Sequence, residues 1–444
     1  MFCFSCKKFV DVPTPTNQIV NPIPFNNDAT ATATVIGIYS EMMRSSYQFS
    51  DGLTSLYAGM SADELYYYSP SSRDEFVKNK ITQANHGNLK MLFWEPAYKF
   101  IYACNLCLEQ LLKSSSLTPK VKNTLIGECK FIRAYCYFYL VNLFGDVPLI
   151  ITSDYRVNST LPRTPKNKVY EQIISDLKDA LSLLDTSYPT SGRVRPNKWA
   201  AAALLSRVYL YNGDWINAEI EANAVIGSGI YSLEADLNKV FLKDSKEAIW
   251  QLMPGNPIFN TYEGNAILQP NNTLSPTYLI TSSLLNAFEA GDQRKDAWVG
   301  SRIFASQVEY YPYKYKVYGN SAPVTEYYMM LLLAEQYLIR AEARARQNNI
   351  EGAQNDINII RRRAGLPDIN YNSQQSVLTA IEQERRIELF AEWGHRWNDL
   401  KRTQRIDAVL GALKPTTWQS MDTLWPIPQD EINLNHALTQ NPGY

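Results

Sequence analysis

No run of about eighteen consecutive apolar residues occurs in this chain, so a membrane-spanning helix is not expected. Charge of one sign is not in excess either. Lys and Arg number 43 against 44 Asp and Glu, a formal net charge of −1, which indicates neither a nucleic-acid partner nor a polybasic membrane patch. Histidine is scarce, with only His86, His395 and His436. His395 follows Glu392 by three, a spacing used in di-metal bundles, but no second copy exists, and a catalytic metal needs several convergent ligands. A phosphate loop, a dinucleotide fingerprint and a Gly-x-Ser-x-Gly elbow are all missing. The expectation is a protein with no metal, no cofactor and no catalytic residue.

Cysteine is sparse as well. Cys104-x-x-Cys107 has the spacing of a metal-ligand pair, but it falls in a helical pattern beside Ile101 and Leu108. Cys129 and Cys136 lie seven apart on the next helical pattern. All four are read as small apolar core residues, because free Cys is among the most buried side chains. No disulfide framework is implied.

Aromatic residues are plentiful: 29 Tyr and 9 Trp beside 16 Phe. Tyr and Trp combine a flat apolar face with a polar tip, which suits a wet binding surface as well as a core. Helical patterns run from Asp28 to about Arg44, Phe93 to Leu112, Pro119 to Phe144, Pro165 to about Leu184, Asn197 to Tyr211 and Trp215 to about Ile226. Ala201 and Ala202, the turn Asn212-Gly213-Asp214 and then Ala218 resemble a tetratricopeptide hairpin, in which small residues let two helices approach closely. The pattern recurs at Ala334, Ala341 and Ala343, with a turn at 347–349 and then Ala353, and more loosely at 93–143. Such hairpins bury their faces only by stacking on neighbours.

Between Phe241 and Tyr328 the helical period vanishes, and Pro, Gly, Asn, Tyr and Trp dominate. A long irregular segment in a compact domain is functional or disordered, and its aromatic content argues against disorder. A charge-dense helix is expected at Glu384–Arg402. There Ile387, Phe390, Trp393, Trp397 and Leu400 form an apolar stripe, and Glu388, Glu392, Arg396, Asp399 and Arg402 lie opposite. The charges fit two readings, a catalytic carboxylate cluster or an ion-pair lattice that fastens the C-terminal tail. Acid–base spacings such as Glu392–Arg396, Arg385–Glu388 and Asp399–Arg402 favour the lattice.

Several blocks in order resemble the SusD/RagB family of outer-membrane nutrient-binding lipoproteins. They are Trp94, Tyr98, Ile101 and Asn105; Glu128, Arg133, Ala134, Tyr137 and Phe138 with Gly145-Asp146-Val147-Pro148; Asn358, Arg361, Arg363 and Gly365; Glu384 to Arg402; and Pro426-Ile427-Pro428 with Gln440 to Tyr444. The resemblance covers almost the whole chain and implies a mainly α fold, with tetratricopeptide-like hairpins as a scaffold under a loop-rich ligand-binding face. It implies a SusC-like TonB-dependent transporter as partner and a lipid anchor in the outer membrane, exposed at the cell surface. Ser5-Cys6-Lys7-Lys8 resembles the end of a lipoprotein signal, with Cys6 as the acylated residue. Residues 1–20 would then be signal remnant and tether. Residues 21–444 would form one domain, with a helical part at 21–240, the loop-rich segment at 241–328 and a second helical part with the tail at 329–444.

The function implied is binding of an oligosaccharide, or of a peptide, for delivery to the transporter, without catalysis. Two alternatives stay open. One is a helical glycoside hydrolase, for which Asp63-Glu64 offers carboxylates. The other is a cytoplasmic tetratricopeptide-type scaffold. For the ligand site, sugar rings stack on aromatic planes while polar side chains meet their hydroxyls. The candidates are the Tyr66-Tyr67-Tyr68 run, where the family often places ligand-contacting loops, Tyr262 with Asn265, and Trp298 with Arg294.

Overall fold

The computed structural model describes residues 25–44, 48–255, 260–271, 273–319 and 323–444. Cys6 and the expected tether lie outside the described residues. The helical scaffold opens with α1 (Asp28–Met42), capped by the Asn27 side chain, which accepts from Thr30 N at 3.0 Å. A short α2 (Leu53–Ser61) is buried along its whole length. Then come α3 (Glu95–Lys113), α4 (Pro119–Phe144), α5 (Lys166–Leu183), α6 (Lys198–Asn212) and α7 (Trp215–Gly227). Helix α3 packs on α1, and from α4 onward each packs on its predecessor. The turn between α6 and α7 follows from its residues. Gly213 takes φ 77°, which favours glycine, and Asp214 caps Asn217 N at 3.2 Å.

After the irregular segment, α10 (Leu333–Arg346) packs on α7, and α11 (Ile350–Arg363) and α12 (Gln374–Glu388) pack on α10. The small residues expected at these seams are there: Ala201, Ala202, Ala218, Ala334, Ala341, Ala343 and Ala353 are all buried. Ala341 and Ala345 of α10, Ala353 and Ile357 of α11, and Val377 and Ile381 of α12 share one apolar cluster. The mainly α, tetratricopeptide-like architecture stands.

The stretch at 241–328 is more ordered than its composition suggests. It holds β2 (Ala248–Leu252), α8 (Tyr262–Ile267), β3 (Tyr278–Ile280), α9 (Gln293–Trp298) and the hairpin β4 (Val299–Phe304) and β5 (Gln307–Pro312). Strand β2 pairs antiparallel with β6 (Tyr328–Leu332), and every residue of both is buried. Earlier in the chain, β1 (Leu65–Tyr67) pairs antiparallel with β3. Two-residue alternation over such short strands is hidden among Gly and Pro, which is why the sequence reads as loop.

The charged helix expected at Glu384–Arg402 is two helices. After α12 the chain breaks at 389–394 and resumes as α13 (His395–Arg402), followed by α14 (Ile406–Leu413). Ala391, Trp393 and Gly394 take φ of 51°, 48° and 69°. The backbone amides freed at the break are met from the N-terminal part of the chain. Trp393 N donates to Ser55 Oγ at 2.8 Å, and Ala391 N to Glu64 Oε2 at 3.3 Å. A Cβ on Gly394 would sit 2.7 Å from Ala58 Cβ, so glycine there lets α2 approach.

The charges form a lattice, but with partners other than those the spacing suggests. Only Asp399–Arg402, at 2.7 Å, is the expected pair. Arg385 binds Asp399, Arg396 binds Asp63, and Glu392 binds Lys314. The lattice therefore fastens α12 and α13 to the body rather than the tail. The tail is held by amides, by Arg163 on Thr439 O at 3.0 Å and by a Lys90–Glu431 pair at 3.2 Å. Asn441 Nδ2 donates to Phe144 O at 2.9 Å and to Trp425 O at 2.7 Å, while the Gln440 amide brackets the main chain of Ile427.

Candidate functional site

An exposed pair of tyrosines is carried by β1, which pairs with β3. The register is Leu65↔Ile280, Tyr66↔Leu279 and Tyr67↔Tyr278, and Tyr68 N extends it by donating to Thr277 O at 3.2 Å. Alternation along the strand sends Leu65 into the core and Tyr66 and Tyr68 outward. They are 38% and 47% exposed, whereas Leu65 is buried. Tyr67, half-buried, is the hinge of the patch. Its ring meets Tyr68 at 5.2 Å and Tyr278 edge-on at 5.4 Å, and the Arg73 guanidinium lies 4.7 Å above it. Burial, and the Glu309 carboxylate second, raise the Tyr66 phenol above its ordinary pKa, so it stays a neutral donor.

The β4–β5 hairpin stands beside β3 and carries Glu309. Glu309 accepts from Ser275 Oγ at 2.7 Å. Arg302, opposite Glu309 on β4, donates to the main-chain oxygens of Asn271 at 2.9 Å and Leu274 at 2.5 Å. Gln269 Nε2 donates to Thr277 Oγ1 at 2.7 Å. These bonds hold the 269–277 connection against the sheet edge. Leu274, Ile303 and Val308 are exposed on the same elements, and Tyr310 is half-buried. Two outward rings, a carboxylate and apolar flanks are the parts that a sugar surface needs.

The other sequence candidates fall elsewhere. Trp298 is 0% exposed, so it cannot present a face to a ligand. Its Nε1 donates to Leu237 O at 3.0 Å, and Lys314 Nζ sits 4.7 Å over its ring. Arg294 is also buried, with Asp292 at 2.7 Å, Glu384 at 2.5 Å and Glu388 at 3.0 Å. Its charge is spent inside the lattice. Tyr262 is buried at the start of α8, and Asn265, on the same helix, is half-buried. Helix α8 packs on β3, the strand that pairs with β1. Arg73, Tyr278 and Glu309 were not singled out from sequence. The signal for Tyr278 was the short aromatic and β-branched run Thr277-Tyr278-Leu279-Ile280.

Both carboxylates weighed for hydrolysis are buried. Asp63 is buried between Arg386 at 2.6 Å and Arg396 at 2.8 Å; although burial opposes it, the two guanidiniums hold its pKa below the ordinary value. Glu64 is fully buried, and burial with the Asp63 charge pushes its pKa up to about 8. Cys104, Cys107, Cys129 and Cys136 are buried free thiols, and among the described residues no group of three or more His, Cys, Asp or Glu could hold a metal ion. No described helix is long and apolar enough to cross a membrane.

Two family descriptions match the chain: "Starch-binding associating with outer membrane" over residues 8–210, and the SusD family over residues 289–444. The chain belongs to the SusD family. SusD-like protein P2 of Formosa agariphila is 28% identical over 95% of this chain and 93% of its own length. The starch-binding protein SusD of Bacteroides thetaiotaomicron is 27% identical over 72% of each chain. The crystal structure of a SusD homolog from Bacteroides thetaiotaomicron superposes with a TM-score of 0.82 at 20% identity, covering 95% of this chain and 98% of that one. As a SusD-family protein, the chain carries its tyrosine face on a scaffold shared with these structures.

Proposed function

We propose that this SusD-family protein is a non-catalytic glycan-binding protein of the outer membrane, and that it holds an oligosaccharide on the face of Tyr66 and Tyr68. The observation that carries this reading is the pair of tyrosine rings turned outward by β1 in a protein that buries most of its other large aromatics. The C–H faces of a sugar ring stack on Tyr66 and Tyr68, ring hydroxyls donate to Glu309, and Asn265 supplies an amide at the edge. Arg73 stiffens the platform by fixing Tyr67. The name of the SusD relative in Bacteroides thetaiotaomicron, a starch-binding protein, supports an α-glucan among the ligands to be tried first. Delivery to a SusC-like TonB-dependent transporter, and a lipid on Cys6, complete the proposal.

The test is affinity electrophoresis against a panel of soluble α- and β-glucans. The wild-type protein is expected to be retarded by at least one. The double variant Tyr66→Ala/Tyr68→Ala is expected to lose that retardation by tenfold or more, since each stacked ring contributes about 1 kcal/mol. Unchanged retardation of the double variant rejects this face as the site. Co-purification of a TonB-dependent barrel with the tagged protein from solubilised outer membranes tests the partner.

A further inference from the structure

We propose that the cleft between α12 and the α13–α14 arm is a binding site for a small oxyanion, a sulfate, phosphate or carboxylate group. The cleft has two lobes of about 210 and 360 Å³ that share Thr379, Glu382 and Arg405 on their walls. Six arginines line it: Arg346, Arg385, Arg386, Arg396, Arg402 and Arg405. Four carboxylates face them: Asp63, Glu342, Glu382 and Asp399. The remaining polar walls include Ser283, Thr379 and Thr403, whose hydroxyls already donate to Asp63 Oδ2, Gln375 O and Asp399 O.

The hydrogen-bond inventory is unequal. Every carboxylate is already engaged on both oxygens. Asp399 takes Arg385 at 2.8 and 3.2 Å and Arg402 at 2.7 Å. Glu342 takes both amino groups of Arg402, at 2.7 and 2.6 Å. Asp63 bridges Arg386 and Arg396, and Glu382 bridges Arg396 and Arg405. On the other side, Arg385 Nη1 and Arg386 Nε have no hydrogen-bond partner. Arg385 is 2% exposed, so bulk water does not satisfy it. A buried guanidinium N–H without an acceptor costs free energy, and a guanidinium offers five donors in a planar fork that matches an oxyanion. An anion in the cleft offsets the excess of two positive charges, and the exposed Arg405 guanidinium is the donor it meets first.

Arg405 is the handle for testing this, because it sits at the rim, 47% exposed at the side chain, and pairs only with Glu382 at 3.0 Å. The full chain is titrated by calorimetry with sodium sulfate, phosphate, galactose 6-sulfate and galacturonate, each against sodium chloride at matched ionic strength. Saturable binding of at least one oxyanion, with none for chloride, is the expected result. Arg405→Gln should weaken that binding about five-fold, and Glu382→Gln, which removes the competing carboxylate, should tighten it by a similar factor. Tighter binding of the sugar-borne groups would assign the cleft to a charged glycan, and equal binding would assign it to the free ion; both support the site. Equal heats for chloride and the oxyanions, or wild-type affinity in both variants, would overturn it and leave the cleft to water.

Discussion

Two regions of this protein are dense in polar side chains of large size, and they treat water in opposite ways. Around α12 and α13, most arginines are buried and paired with carboxylates, and the surplus is confined to one cleft. On β1, Tyr67 packs against Tyr68 and, edge-on, against Tyr278 of β3, and Tyr66 and Tyr68 stay exposed. Both regions stand out in sequence, one by charge and one by aromatic repetition. The difference lies in what each can still bind. A guanidinium held by two carboxylates has little left for a ligand, whereas a phenol ring that packs through its edge keeps its face.

The largest expected effect comes from breaking the matched side. Arg294→Ala would leave Asp292 buried and unpaired and would strip one partner from Glu384 and Glu388. A loss of about 3–5 kcal/mol is expected in urea unfolding, the range for breaking a buried pair. A loss under about 1 kcal/mol would mean that the neighbouring Arg361 and Arg363 carry those carboxylates alone.

A smaller effect sharpens the contrast through pH. Glu64 and Glu263 lie between the two regions, and burial is the first cause that pushes each up to about 8. Their folded pKa values exceed the unfolded value of a glutamate, so at pH 5 to 8 the folded state holds protons that the unfolded state has released. Their contribution to stability is therefore full below about pH 4.5 and declines as pH rises toward 8. For a single group the slope approaches about 1.4 kcal/mol per pH unit. Glu64→Gln should flatten part of that decline when unfolding free energy is measured from pH 5 to 8. An identical slope in the variant would count against a neutral Glu64.

The smallest effect is on the open side. Tyr66→Ala/Tyr68→Ala should change stability by less than about 1 kcal/mol in the same urea assay, because exposed positions away from special features tolerate truncation. A cost of several kcal/mol would place those rings among the structural ones and erase the contrast.

Much of the scaffold was legible, because its hairpins are written in local terms: small residues at the seams, a glycine or asparagine in the turn, an Asn, Asp or Ser cap. Asn197, Asp214, Asn349 and Ser373 all cap as their types suggest. The break at Ala391–Gly394 was not legible, because it exists to meet Ser55, Ala58 and Glu64, more than three hundred residues away. Trp298 and Arg294 were misplaced for the same reason. A tryptophan beside charged residues in a Gly-rich stretch looks like a surface feature, and only the distant Leu237, Lys314 and Glu384 make it a core. The Tyr66–Tyr68 run was legible as aromatic but not as alternating, since its partner strand lies two hundred residues on.

The contact between Asp63 and Arg396 spans 333 positions of sequence. A newly made chain reaches Asp63 early and Arg396 almost last, so β1 waits for its partner strand at 278–280 and Asp63 waits longer still. Loop closure over such a distance is slow and comes after the local hairpins have formed. The order of assembly is then fixed: the helical array first, the platform beneath Tyr66 and Tyr68 at the end. A chain shortened before residue 391 would keep its hairpins and lose the floor under its tyrosines.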